Sequence, residues 1–466
     1  MTQKRDLFEK APVPKALAAL AVPTIISQLI TMIYNLADAV FIGLTNDESK
    51  IAASGVAFVL IFATNCLSNL FGIGGSSLIS RLLGEKKDAD AKKVASFSFW
   101  GTFAISAIYS VVVFVFMEPF LYFLGAKSAE SMQYAKDYAF WVVVVGAVPS
   151  TLGMTLSHLL RSEGHAKEAG FGLGMGGILN VVLDPLFMFV ILEEGNEVAG
   201  AAIATLISNV AVLLYFLAIL FVIKKKKGSV LSINLANMIP EKHHIGSVFA
   251  VGFPSAIGSM FACLSSIMIN NLASSYIDVY GDVPVAAITI AKKIDMLPMN
   301  VGMGLCQGMM PLVAYNFAAR NYKRMKAFSD AARFAGIAFA LVCIVSFEIF
   351  AEPLVRIFVN EPIAVVDMAT KFLRIMCLAV PLMITNFQMS FTFQAMGMGK
   401  ESLLLSSLRQ GLINIPLLFL MNYLFGLDGV VWTQLISDIL TVIISMIVYH
   451  VSYNKLLKSV EVNEEL

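Results

Sequence analysis

Two aspartates stand inside long apolar runs. Asp38 lies in the stretch Tyr34 to Gly43, and Asp184 lies in the stretch Gly177 to Pro185. A carboxylate at membrane depth costs about 3 kcal/mol on insertion scales, so each one needs a reason. Each has a helical partner, because Asn35 and Asp38 are spaced i, i+3, and Asn180 and Asp184 are spaced i, i+4. Counting from the outer ends of their spans puts Asp38, Asp184 and Thr205 at one depth, roughly 10 to 14 Å below the surface. Carboxylates with amide and hydroxyl oxygens suit a hard cation such as Na⁺, which Asp38, Asn180 and Asp184 could hold with Thr205 nearby. They suit a proton equally, since two near carboxylates cannot both ionise cheaply in a low dielectric. The alternative is structural: Asp38 caps a helix end and Asp184 caps a restart at Pro185.

Other polar residues offer less. Lys292 and Asp295 have the i, i+3 spacing of an ion pair beside Lys293, which reads as a structural pair or as a gating element. Glu348 and Asp438 sit near span ends or on unassigned faces. His158 reads as a core hydrogen-bonding residue, because no second histidine stands at metal spacing. Tyr34, Asn35 and Met175 are the candidate substrate-cavity residues. Met154, Met296, Met299, Met303 and Met309 either line the same adaptable space or fill gaps between helices. The glycine runs Gly72 to Gly75 and Gly170 to Gly177 lack the lysine of a phosphate loop and read as helix contacts.

The elements that must position these residues are transmembrane helices. Of 466 residues, 58% are hydrophobic and only 14% charged, and mean hydropathy is +0.79, well outside the range of a soluble domain. A net charge of +1 with no basic, aromatic-interleaved run excludes nucleic acid as a partner. The lipid bilayer is the expected solvent. Cys66, Cys263, Cys306, Cys343 and Cys377 show no CxxC spacing and read as buried small hydrophobes. The first apolar segment, Ala16 to Leu44, is too long for a signal-peptide core and is expected to be retained.

Twelve segments reach the bilayer-spanning length, at about 14–45, 51–80, 93–117, 134–160, 167–193, 197–223, 246–276, 284–316, 327–350, 364–396, 402–425 and 429–452. Lysine and arginine concentrate on one side, for example in Arg81 to Lys93, Lys224 to Lys227 with Lys242, and Arg320 to Lys326. Acids such as Asp47, Glu48, Glu193 and Glu194 sit in loops of the other side. The positive-inside rule then puts both termini in the cytoplasm of a multi-pass cell-membrane protein.

The polar interruption from Lys224 to His244 divides the spans six and six. The expected domains are an N-lobe at 1–223, a cytoplasmic linker at 224–245 and a C-lobe at 246–466. The halves repeat at an offset of about 230 residues. Val148-Pro149 matches Val380-Pro381, Gly164 to Glu168 matches Gly397 to Glu401, and Gly200 to Asn209 parallels Gly429 to Asp438. Pro23 and Pro254 occupy equivalent places, and such paired prolines suit bends used in rocking or static kinks. Six spans return the chain to its starting side, so the repeat is parallel, and two like lobes around a cavity is the architecture of alternating access. Matching acids are absent from the second half, which assigns any ion site to the N-lobe.

With these pieces assembled, almost the whole chain resembles the multidrug and toxic compound extrusion (MATE) family. The marks are Ala21 to Thr24, Asn35 to Asp38, Leu160 to Gly164, Ile178 to Phe187, Gly200 to Thr205 and Tyr315 to Tyr322, in that order on twelve spans. The resemblance implies an all-α fold of two pseudo-symmetric six-helix bundles. It also implies export of cationic amphipathic small molecules by antiport against H⁺ or Na⁺, without another cofactor, with coupling at Asp38, Asn180 and Asp184 and with Thr205 as a further member. A monomer is expected. A lipid-linked precursor flippase of a related superfamily is the nearest rival, but it should show several cavity arginines and often two extra spans. An intramembrane enzyme would need a nucleophile-base or metal constellation such as HExxH, and the sequence has none.

Overall fold

The computed structural model of the protein describes residues 2–45, 47–193, 195–225 and 229–464. Glu194, Lys226 and Lys227, which enter the charge count above, lie outside the described residues. The fold is helical, with no strand among the described residues. In lipid this follows from the need to satisfy every backbone polar group within its own segment.

Eight helices are long and apolar enough to cross a bilayer by themselves, and nine if the bent pair Ala129–Val145 and Ala147–Ser162 is one span. Chemistry hides the others. Val283–Ala318 is 36 residues long but carries Lys292, Lys293 and Asp295. Ile363–Cys377 and Val380–Met396 are two pieces of one broken span. The run Gly399–Tyr453 reverses at Gly426, where φ 62° and ψ −143° require glycine. Twelve spans result among the described residues, as the hydropathy pattern predicts.

The repeat is visible in local backbone. Gly164 and Gly397, matched in sequence, both adopt positive φ, 87° and 76°, and each ends one span so that the next can begin. The matched Val-Pro pairs also behave alike. Pro149 follows a 49° break in the fourth span, and Pro381 follows the break between Cys377 and Val380. Pro23 and Pro254 instead lie inside unbroken helices.

The chain packs as two units, one of residues 1–256, 307–328 and 394–397, the other of 257–306, 329–393 and 398–466. These limits differ from the lobe limits read from the sequence, and side chains explain why. The linker belongs to the first unit because Glu163 accepts hydrogen bonds from Ser229 Oγ (2.6 Å) and the Val230 N–H (2.5 Å). Trp100 Nε1 also donates to the Ile233 carbonyl at 3.0 Å. Residues 307–328 join it through the N-terminal segment. Tyr315 stacks on Phe8 and donates to Glu9 Oε1 at 2.6 Å, while Arg324 Nε donates to the Phe8 carbonyl at 2.7 Å.

Within the first unit the Gly170 to Gly177 run is a contact surface. A methyl at Gly170 would meet the Pro23 carbonyl, at Gly172 the Phe216 ring, at Gly176 Val212, and at Gly177 Ile30 and Tyr34. Close approach of the fifth span (Ala166–Ile191) to the first (Val13–Gly43) and sixth (Glu197–Lys225) is what brings their polar residues together.

Candidate ion-coupling site

Asn180 and Asp184 are 3% and 0% exposed. One face of the fifth span carries both, as their i, i+4 spacing requires. Asn180 Nδ2 donates to Asp184 Oδ1 at 2.9 Å and to Thr205 Oγ1 at 3.2 Å, which ties the fifth span to the sixth. Asp38, on the first span, accepts from the Tyr138 hydroxyl at 3.3 Å. Neither acid caps a helix. Val13–Gly43 runs on past Asp38, Ala166–Leu186 continues through Pro185, and the carboxylate bonds go to side chains. The capping alternative is therefore set aside.

Three buried oxygens in this set have no hydrogen-bond partner: Asp38 Oδ1, Asn180 Oδ1 and Asp184 Oδ2. An acceptor buried without a donor is costly, and a carboxylate more so. Lys50 does not compensate them, since its ammonium is held by Glu197 at 2.7 Å and Asp47 at 3.6 Å. Orphaned oxygens from two acids and an amide form the donor set of a hard cation, and they would equally accept a proton.

A cavity of 150 Å³ opens beside them, lined by Tyr34, Asn35, Asp38, Asn180 and Thr205 among others. At ~30 Å³ per water it holds about five waters, or an ion with part of its hydration shell. A pocket for a drug-sized ligand is roughly 300 Å³ or more. Asp184 stands behind this lining, bonded through Asn180, and Met175 is half-buried outside it.

Sequence reasoning missed Tyr138, and it missed the neutral lining groups Asn65, Ser68, Thr151 and Asn209. Neutral hydroxyls and amides are inexpensive in a helix, so a search for charge passes over them. The i, i+4 pair Tyr134 and Tyr138 was the available signal.

Elsewhere the structure changes two readings and bears out a third, that of His158. Lys292 and Asp295 do not pair: Lys292 Nζ donates to Ser266 Oγ and Asn270 Oδ1, each at 3.4 Å, and Asp295 Oδ1 is buried without a partner. A spacing of three brings side chains near each other, but here Lys292 turns to another helix and leaves Asp295 behind. Asp438 is fully buried rather than marginal and pairs with Arg409 Nε at 2.7 Å. His158 is in the core at 5% exposure, with Nδ1 at 3.5 Å from Arg161 Nη1.

Comparison with known proteins agrees with the fold. The MatE family pattern matches residues 23–186 and 254–420, one stretch in each half of the repeat. The chain is 32% identical over 450 residues to the multidrug export protein MepA of Staphylococcus aureus strain N315, covering 96% of each. Identity to the MepA of Staphylococcus saprophyticus is 31% over 449 residues, again 96% of each. Among solved structures, MATE in complex with MaL6 superposes with a TM-score of 0.89 at 25% identity, over 98% of this chain and 100% of that one. An outward-facing multidrug resistance MATE family transporter of the MOP superfamily gives 0.87 at 25% identity, over 97% and 98%.

Proposed function

The chain belongs to the MatE family and is a multi-pass multidrug efflux transporter, not an enzyme, and from that premise we propose that it exports cationic amphipathic compounds by antiport against H⁺ or Na⁺. One observation carries the reading: Asp38 and Asn180 line a polar space sized for a hydrated ion, Asp184 stands behind them, and each of the three leaves one buried oxygen without a partner. Asp38, Asn180 and Asp184 hold the ion in this reading, and Thr205 orients Asn180.

A ligand shifts a two-state equilibrium only by its differential affinity for the two states. The ion therefore drives export by favouring one state of the N-lobe, and substrate release must follow that change. Substrate occupies a separate space, because 150 Å³ is too small for it. Tyr34 and Asn35, which line the ion cavity, and Met175 beside it are assigned to the wall that the two spaces share. An apolar wall with acidic groups selects delocalised positive charge, and the relatives named multidrug export proteins are in keeping with that breadth. Both termini and the linker at 224–245 are assigned to the cytoplasm by the lysine and arginine distribution, and the working unit is a monomer.

The test is transport into sealed vesicles of a fluorescent lipophilic cation, with pH and Na⁺ gradients imposed separately. One gradient should drive accumulation and the other should not. Accumulation indifferent to both gradients would refute ion coupling, and transport of anions alone would refute the substrate class.

A further inference from the structure

A buried polar stripe leaves the cavity along the fourth span. Thr151 lines the cavity, and Thr155, His158 and Arg161 continue one helical face from it. Thr155 is fully buried and Arg161 is 3% exposed. Opposite them, Ser68 of the second span (Glu48–Gly84) also lines the cavity, and its hydroxyl lies 3.5 Å from Thr155 Oγ1. Thr102 of the third span (Asp88–Val115) brings a further hydroxyl within 3.2 Å of the same atom. Gly72, one turn beyond Ser68, leaves room for the stripe: a methyl there would stand 3.0 Å from the His158 ring and 3.3 Å from the Thr155 backbone. Hydroxyls and an imidazole in file, buried at membrane depth, are the groups that ion and proton paths use.

The stripe ends on a guanidinium. Arg161 Nη1 reaches Gln307 Oε1 at 3.4 Å and His158 Nδ1 at 3.5 Å, while Nε and Nη2 are buried without a partner. Its hydrogen-bond partners among the described residues, His158 and Gln307, include no carboxylate. A buried charge without a counter-charge is expensive, and stability alone gives no reason to keep one. Fixed positive charge across a polar path does have a use, because it repels cations and protons, as arginine does in selective pores.

We propose that Arg161 is an electrostatic plug that keeps the coupling cation from leaking out of the cavity along the fourth span. It rests on the reading of the cavity as the ion site. Any cation that slipped past would dissipate the gradient without moving substrate, so an exchanger needs this path closed to cations in every state. Arg161 touches neither ion nor substrate, and its role is that of a barrier.

The test measures passive H⁺ and Na⁺ leak, without substrate, in vesicles holding the full-length protein. Arg161→Met should raise leak about tenfold or more, Arg161→Lys should remain tight, and adding Thr155→Val to Arg161→Met should bring leak back toward the parental level. If Arg161→Met fails to insert, Arg161→Gln is read in its place. Parental tightness in the neutral variant, equal leak in the neutral and lysine variants, or leak indifferent to Thr155→Val would each overturn the plug. Gradient-driven export by the parental protein in the same vesicles is scored separately. Its absence would sink the functional reading while leaving the leak comparison to judge the plug.

Discussion

In the first half of the chain, Thr205 and Asn209 face a cavity lined by one acid, Asp38, and no base, with Asp184 bonded behind Asn180. In the second half, the positions that the repeat pairs with them, Gln434 and Asp438, belong to a closed network. Asp438 Oδ1 accepts from Arg409 Nε at 2.7 Å and Asn386 Nδ2 at 3.3 Å, and Oδ2 accepts from Gln434 Nε2 at 2.9 Å. Gln434 continues to Asn414 and Asn414 to Ser265. Both halves bury an aspartate completely. One leaves an oxygen bare, and the other saturates every oxygen and neutralises the charge. A carboxylate with its valences filled by protein has nothing left for an exchangeable ion, whereas one with an open valence is costly until an ion or proton arrives. An open carboxylate and a saturated one thus divide between the two halves of the repeat.

Removing the bare carboxylate breaks this contrast most severely. Asp184→Asn keeps size and hydrogen bonding but deletes the charge, so gradient-driven export should fall by roughly two orders of magnitude or more while membrane expression persists. Asp38→Asn should behave alike. Vesicle efflux under an imposed gradient is the measurement, and parental rates in the Asp184 variant would show that the acid is structural.

The saturated site should respond in stability instead. Asp438→Asn leaves the Arg409 guanidinium buried without its counter-charge, at a cost of about 3 to 5 kcal/mol. Thermal melting in detergent should fall sharply, while export per folded molecule survives. The double change Asp438→Leu with Arg409→Met removes both charges and should regain most of the lost melting temperature. A double variant no better than the single one would mean that the network does more than neutralise charge.

The finest comparison lies within the ion site. Thr205→Val removes one acceptor of the Asn180 amide, a hydrogen bond worth about 1 kcal/mol, so Asn180 is oriented only by Asp184. The concentration of driving ion for half-maximal export should rise about fivefold with the maximal rate kept. A loss of maximal rate at unchanged ion dependence would place Thr205 in the conformational change rather than at the ion.

The sequence by itself determined the helical class, the twelve spans, the parallel repeat and the candidate acids Asp38 and Asp184. The physical reason is that lipid penalises charge and unsatisfied backbone so heavily that composition, span length and rare acids carry most of the information. The pairing of Gly164 with Gly397 was legible as a repeat, while their positive φ came from the structure. Partners were not. Spacing along one helix suggested Lys292 with Asp295, yet Lys292 turns to Ser266 and Asn270, and Arg409, far along the chain, neutralises Asp438. Tyr138 and the Thr151 to Arg161 stripe also emerged only from packing, since their chemistry depends on which helix faces which. A single helix fixes the direction of a side chain to within its face. What meets that face, and whether a buried charge is answered or left open, is settled only when the other helices are in place.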